Sequence, residues 1–257
     1  MKHHEEYVEF GVKLAQDAGT LMQARRNEHL SIQRKIDGTL VTDVDIAINQ
    51  LVIVAIAKNF PGHTIIGEEK TWGSLHSDHI WRVDPIDGTG EYVESEMSTN
   101  LSYGFGLAKQ FRGKNEMGLF LNPTTEELYT ATSNQGTKLN GKKIEVGEHP
   151  LTPGISYDYS EWDGAKLDST ALRQMLGDPI GNYSAIYQAC KVAEGESIFS
   201  IFPGSTKHDI APGDIIVTEA NGRVTDLHGV RFDYNSDIGG ALFSNGLVHR
   251  AVLDILS

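Results

Sequence analysis

The sequence predicts an α+β protein, folded as a layered α-β-α-β-α sandwich. Its N-terminal half is expected to carry an antiparallel sheet, and its C-terminal half to be α/β with a mixed sheet. Three observations predict this. Residues 5–26 place Tyr7, Phe10, Leu14, Ala18, Leu21 and Met22 at helical spacing. Turn signals recur through 80–146 between short strand-like runs. Past Pro150 and Pro153, helices and strands alternate. The chain divides accordingly into an expected 1–149 unit and a 150–257 unit.

The elements follow in order. After the helix at 5–26, residues 30–35 read as a strand. Thr42 and Asp43 cap a second helix over 43–59, which Phe60-Pro61-Gly62 ends. Ile65-Ile66 leads into Gly67-Glu68-Glu69. His79 to Val83 is a short strand expected to stop at Asp84-Pro85, because proline cannot donate to a ladder. Leu101 to Leu107 alternates large and small residues, a strand with one packed face. Turns at Arg112-Gly113, Asn134-Gln135-Gly136 and Asn140-Gly141 join the strands that follow. The second half gives helices near 167–176 and 182–194 and a strand near 197–202. A helix from Asp209 to Ala220, a strand over 223–226 and a helix over about 246–256 complete it.

The chain has 257 residues, 39% of them hydrophobic, which is ample for a core. Its longest apolar run, Leu51 to Ala57, suits a buried helix segment and is far too short to span a bilayer. The N-terminus lacks the apolar region of a signal peptide. A single cysteine, Cys190, excludes an intrachain disulfide, which agrees with a cytoplasmic location. Its surroundings read as a helix interior, so it is expected to be a buried structural thiol. Net charge is -13, which argues against nucleic acid or an anionic membrane as partner. A phosphate-bearing substrate would require a local reversal of sign, which bound cations supply.

The tetrapeptide Ile-Asp-Gly-Thr occurs at 36–39 and again at 86–89, with unrelated flanks. Aspartyl-phosphate chemistry needs Asp-x-Asp-Gly-Thr, its first Asp the nucleophile. The first copy has Lys35 at that position. The second has its upstream acid, Asp84, one residue too far away. Neither copy fits. The second copy does fit a metal site: Asp84 and Asp87 can converge on a hard cation together with the carbonyl of Ile86. Gly88 permits close backbone approach, and a helix starting at Thr89 offers amides to a phosphate. Glu68 and Asp209 stand at other element ends. Taken singly these are bland features: a cap, a solvated acidic pair, a turn. Four separated acids at element ends together suit a phosphoesterase centre with more than one metal.

In that order the motifs resemble the inositol monophosphatase family. Gly67-Glu68-Glu69 matches its Gly-Glu-Glu, and Asp84-Pro85-Ile86-Asp87-Gly88-Thr89 matches its central motif in full. The run from Asp209 to Gly222 is similar to its C-terminal motif, and Leu40 to Asp45 to its Val-Thr-x-x-Asp. Asn122-Pro123 and the run from Leu139 to Lys142 also fit, so the resemblance covers nearly the whole chain. It implies a phosphomonoesterase dependent on two or three Mg²⁺ ions, which hydrolyses a small phosphate ester such as an inositol or sugar phosphate through metal-activated water. Glu68, Asp84 and the Ile86 carbonyl would hold one ion, and Asp84, Asp87 and Asp209 a second. Thr89 and Asp45 would activate the water, with Glu68 also in the catalytic set. Gly88, Thr89, Lys35 and Lys207 would contact substrate. The family also implies inhibition by lithium and a homodimer.

This chain departs from the family pattern at His208, where Trp is usual, at Pro212 and at Asn221. The stretch 200–208 has no acid, and Phe202 stands where inositol phosphatases carry a ring-binding Glu. Bisphosphate nucleotidase and fructose-1,6-bisphosphatase activities therefore stay open as alternatives, as does a catalytically silent phosphate-binding protein on the same fold.

Overall fold

A computed structural model describes residues 2–26, 28–36, 38–94, 102–159, 168–181, 184–204 and 206–256. Asp37, the expected strand start at Leu101, and positions 167, 182 and 183 of two expected helices lie outside them. The first element, α1 (Lys2–Arg25), buries Leu14, Ala15, Ala18 and Met22 along one side. Strands β1 (Ile32–Arg34) and β2 (Leu40–Thr42) pair antiparallel. Helix α2 (Asp43–Asn59) starts from a full capping box. The Thr42 hydroxyl accepts from the amide of Asp45, whose carboxylate accepts from the Thr42 amide at 2.7 Å.

A first sheet holds eight strands. They are β3 (Thr64–Gly67), β4 (Thr71–Trp72), β5 (His79–Asp87), β6 (Gly104–Phe111), β7 (Lys114–Asn122), β8 (Glu127–Thr132), β9 (Gly136–Leu139) and β10 (Lys142–Ile144). The spatial order is β10-β9-β8-β7-β6-β5-β3-β4. The meander from β5 to β10 is antiparallel as expected, while β3 joins β5 in parallel. A short helix, α3 (Thr89–Glu94), leaves the end of β5.

The rest of the chain forms β11 (Asp158–Tyr159), α4 (Thr170–Leu176), α5 (Ala185–Ala193), β12 (Phe199–Phe202), α6 (Lys207–Glu219), β13 (Arg223–Thr225), β14 (Ala241–Ser244) and α7 (His249–Leu256). The second sheet runs β11-β12-β14-β13 and is mixed, with only β11 and β12 parallel. Helices α1 and α2 cover one face of the large sheet around Ile48, Val52, Trp81 and Phe105. Helices α5 and α6 fill the space between the sheets, where Phe120 and Tyr129 meet Ile186, Ile215 and Phe243. Helices α4 and α7 close the far face of the small sheet over Leu172, Ile201 and Val252. This is the α-β-α-β-α sandwich that the sequence predicts. Cys190 is buried in the middle layer. No described helix is long and apolar enough to cross a membrane.

The elements differ from the sequence reading in three ways that matter. Strand β5 does not stop at Asp84-Pro85; it continues to Asp87 through a register shift between Asp84 and Asp87. The bulge takes Pro85 out of the ladder, so its missing N–H is not needed. Helix α6 opens at Lys207 rather than Asp209, which puts Asp209 in its first turn and Pro212 inside the helix. Strand β14 was not expected at all, because four consecutive buried residues carry no alternation that identifies a strand.

Glycine sets one critical approach. A Cβ on Gly104 would lie 2.3 Å from the Leu121 carbonyl oxygen and 2.6 Å from the Phe120 ring, and Gly104 is the partner of Asp87 across the sheet. Gly104→Ala should therefore cost about 1–3 kcal/mol by overpacking. A lowered denaturant midpoint at unchanged m would report this, and an unchanged midpoint would contradict it.

Candidate metal centre

The second Asp-Gly-Thr copy sits where four chain segments meet. Asp84 and Asp87 flank the bulge of β5, and Asp209 projects from the first turn of α6, which packs across that strand. One carboxylate oxygen from each of the three lies within 4.8 Å of the others. Asp84 and Asp87 are buried, and Asp209 is mostly so. Glu68 stands alongside, because its amide donates to the Val83 carbonyl at 3.0 Å.

So many acids in one buried place hold on to protons. Burial pushes Asp84 well above the ordinary carboxylate range, and Glu68, Asp209 and Asp87 push it further. Asp209 is raised by burial and then by Glu68 and Asp87. Asp87 is raised by burial against four opposing hydrogen bonds. A divalent cation fits the cluster on two counts. All the donors are hard oxygens, the set that Mg²⁺ and Ca²⁺ prefer. In addition, Asp84 Oδ1 is buried with no hydrogen-bond partner, an acceptor that a cation could satisfy.

Asp87 is held by a contact that the sequence reading missed. Its carboxylate accepts from the Ser184 hydroxyl, from the amides of Ala185 at 3.0 Å and Ile186 at 2.9 Å, and from Tyr187 at 3.4 Å. The start of α5 is thus clamped onto the acidic cluster, and its dipole offsets the negative charge. A serine immediately before an apolar helix is an N-cap signal that was legible in the sequence; its carboxylate partner, 97 positions away, was not.

Thr89 opens α3 at the end of β5. Its hydroxyl lies 2.9 Å from the Ile86 carbonyl and 3.3 Å from Asp45 Oδ1. Asp45 is buried at the start of α2. Its Oδ2 is occupied by the Thr42 amide and hydroxyl, which leaves Oδ1 to Thr89. Burial raises its pKa to about 7 despite the Thr42 bonds. Gly88 has φ +83, and a Cβ there would lie 2.8 Å from the Ser102 carbonyl oxygen, so the motif's glycine is sterically required.

Lys35 and Lys207 face different groups. Lys35 Nζ donates to Glu68 Oε1 and Glu69 Oε1, both at 2.6 Å, so it is turned onto the acids. Lys207, at the start of α6, lies in the field of Arg82, Asp237 and Asp233. His208 stands next to the cluster, its Nε2 3.6 Å from Asp209 Oδ1. Phe202 is buried in the middle core layer.

The sequence model of the inositol monophosphatase family matches residues 3–254. A Thermotoga maritima protein named fructose-1,6-bisphosphatase/inositol-1-monophosphatase is 28% identical, over 97% of this chain and 95% of its own. Inositol monophosphatase 1 of Xenopus laevis is 31% identical over 90% of this chain and 86% of its own. The solved structure of an IMPase from Thermotoga maritima superposes with a TM-score of 0.87 at 26% identity, covering 98% of this chain and 96% of that one. The chain belongs to the inositol monophosphatase family, a family of metal-dependent phosphatases.

Proposed function

We propose that this protein is a Mg²⁺-dependent phosphomonoesterase that hydrolyses a small phosphate ester by direct attack of water, without a phosphoenzyme. The observation that carries this reading is the Thr89 hydroxyl set between Asp45 Oδ1 and the Ile86 carbonyl, beside the three-carboxylate cluster. Glu68, Asp84 and the Ile86 carbonyl would hold one ion, and Asp84, Asp87 and Asp209 a second. Bound there, Mg²⁺ supplies counter-charge and Lewis acidity for phosphoryl transfer. The residues of the chain do the rest. Thr89 orients the attacking water, and its proton passes toward Asp45, whose raised pKa suits it to accept one near neutrality. Asp45 can keep that role because the capping box fixes its other oxygen. The backbone at Gly88 and Thr89 offers amides to the phosphate at the start of α3.

Inositol 1-phosphate should not be strongly preferred. Phe202 replaces an acid that would accept from ring hydroxyls, and its side chain is packed into the core. A missing hydroxyl partner costs discrimination. The direct test of function is Mg²⁺-dependent phosphate release from a panel of phosphate esters; no release from any of them would overturn the reading.

Metal should also stabilise the fold, since it discharges the buried acids. At a Mg²⁺ concentration of 100 times Kd the gain is about 2.7 kcal/mol, a rise in Tm on the order of 5–10 °C. An unchanged Tm at saturating Mg²⁺ would contradict the site. Thr89→Ala and Asp45→Asn should each lower kcat by roughly 10²–10⁴-fold with little effect on that Mg²⁺-induced Tm shift. Loss of the shift in either variant would assign these residues to metal holding instead. Ser184→Ala removes the hydroxyl from Asp87 and should weaken Mg²⁺ affinity about 10–100-fold, as loss of a group that orients a ligand does. Calorimetric titration with Mg²⁺ measures this; wild-type affinity would mean that the clamp is dispensable.

A further inference from the structure

Arg82 lies two residues before Asp84 on β5, so both side chains leave the same face of the strand. It is buried, and its hydrogen bonds go to neutral groups. Nε donates to Gln110 Oε1 at 2.8 Å, and Nη2 donates to the Tyr234 carbonyl at 3.2 Å. A buried cation without a counter-charge is costly. Here the balancing charge is reached through two amides. Gln110 Nε2 donates to Asn115 Oδ1 at 2.7 Å, and Asn115 Nδ2 donates to Asp214 Oδ2 at 3.0 Å. Gln110 and Asp214 are buried as well. A register shift between β6 and β7 sets up the middle of this chain, because it puts Asn115, rather than Glu116, opposite Gln110.

All three hydrogen bonds run the same way. Each donor is on the Arg82 side and each acceptor on the Asp214 side, so the amide dipoles align between the two charges and each bond polarises the next. Tyr234 makes a second link. Its ring centroid lies 5.6 Å from the Arg82 guanidinium, and its hydroxyl donates to Asp214 Oδ2 at 2.9 Å. Asp214 Oδ1 accepts from the Thr218 hydroxyl and from Arg231 Nη1, both at 3.2 Å. Arg231 is exposed, so solvent screens that ion pair.

The chain of bonds ends on the helix that carries Asp209. Asp214 is in the second turn of α6, directly after the turn that holds Asp209. Asn115 Nδ2 also lies 3.2 Å from the carbonyl of Ala211, two residues beyond Asp209. Helix α6 is seated closely on β7: a Cβ on Gly118 would lie 2.3 Å from Ile215 Cγ2. Apolar contact of that kind sets how near the helix lies to the sheet, but it has no direction. Hydrogen bonds are directional, and they fix how far the helix is advanced along the sheet. That advance decides whether Asp209 comes within 4.8 Å of Asp84 and Asp87, whose charges oppose it.

We propose that Asp214 is a positioning residue for the metal centre. It serves as the counter-charge of Arg82 through Gln110 and Asn115, and these bonds hold α6 at the register that brings Asp209 onto Asp84 and Asp87. The proposal rests on the reading of those three acids as a Mg²⁺ site.

The test is calorimetric titration with Mg²⁺, well below the melting temperature. The variants are Asp214→Asn, Asn115→Leu, Arg82→Met and the double change Arg82→Met with Asp214→Asn. Asp214→Asn and Asn115→Leu should each weaken Mg²⁺ affinity about tenfold, the lower end of what loss of a group that orients a ligand costs. The double variant should bind no more weakly than the weaker of its two single variants, because both charges act through one chain and neither is left uncompensated. Arg231→Met, which removes only the exposed partner, should keep wild-type affinity. In turnover of p-nitrophenyl phosphate, the Mg²⁺ concentration for half-maximal rate should rise by the same factor, with kcat at saturating Mg²⁺ retained. A lowered Tm with wild-type Mg²⁺ affinity in both Asp214→Asn and Asn115→Leu would overturn the proposal and leave the network as a strut. Losses that multiply in the double variant would overturn it, as would a loss in Arg231→Met equal to that in Asp214→Asn. Should Asp214→Asn fail to fold, Asn115→Leu, at a partly exposed position, decides. Affinities that change as expected while no ester is hydrolysed would sink the phosphatase reading and keep the positioning role. No Mg²⁺ binding by the wild type would overturn both.

Discussion

The arrangement turns on the mutual repulsion of Asp84, Asp87 and Asp209, three carboxylates brought within 4.8 Å of one another in a largely buried place. Left to themselves they would hold protons or force the segments apart. Each is compensated differently. Asp87 is embraced by the first amides of α5 and the Ser184 hydroxyl. Asp209 sits in the first turn of α6, where the helix dipole favours a negative charge. Asp84 keeps an open oxygen with no partner in the protein. The three are thus unequal: two carboxylates are pre-set by helix ends, and one keeps an oxygen that a cation could satisfy.

The sandwich exists, in functional terms, to aim helix N-termini at one spot. The starts of α2, α5 and α6 all supply groups to it, from helices that lie on both faces of the large sheet. This resolves the paradox of a chain with net charge -13 that belongs to a phosphatase family. The global charge repels anions, but the local field is set by backbone dipoles and by Lys35. Lys35, bonded to Glu68 and Glu69 at 2.6 Å, shows the same acids attracting positive charge from within the chain.

Rigidity around the acidic cluster comes from double use of residues. Asp45 is at once the closing half of the α2 capping box and the neighbour of Thr89, so helix initiation fixes its orientation. Gly88 and Gly104 let backbone approach backbone on either side of the bulge.

The sequence by itself determined a good deal. Helical periodicity located α1, caps located α2, and turn chemistry located the meander from β5 to β10, because these are local signals. Single residues argued against aspartyl-phosphate chemistry at either Asp-Gly-Thr copy: Lys35 stands at the nucleophile position of the first, and Asp84 lies three places upstream of Asp87 in the second. Short buried strands such as β11 and β14 escaped, since two or four wholly buried residues carry no period. The run of β5 through Pro85 escaped because a bulge is set by the partner strand, and Gly104 lies 17 positions beyond Asp87. Only the tertiary structure decided that Ser184 and the start of α5 clamp Asp87, that Lys35 is turned onto Glu68 and Glu69, and that Arg82 is buried against Gln110 and Tyr234. Each is a contact between segments distant in the chain. Its energy depends on burial and on which charges face each other, and neither quantity is written in the order of residues.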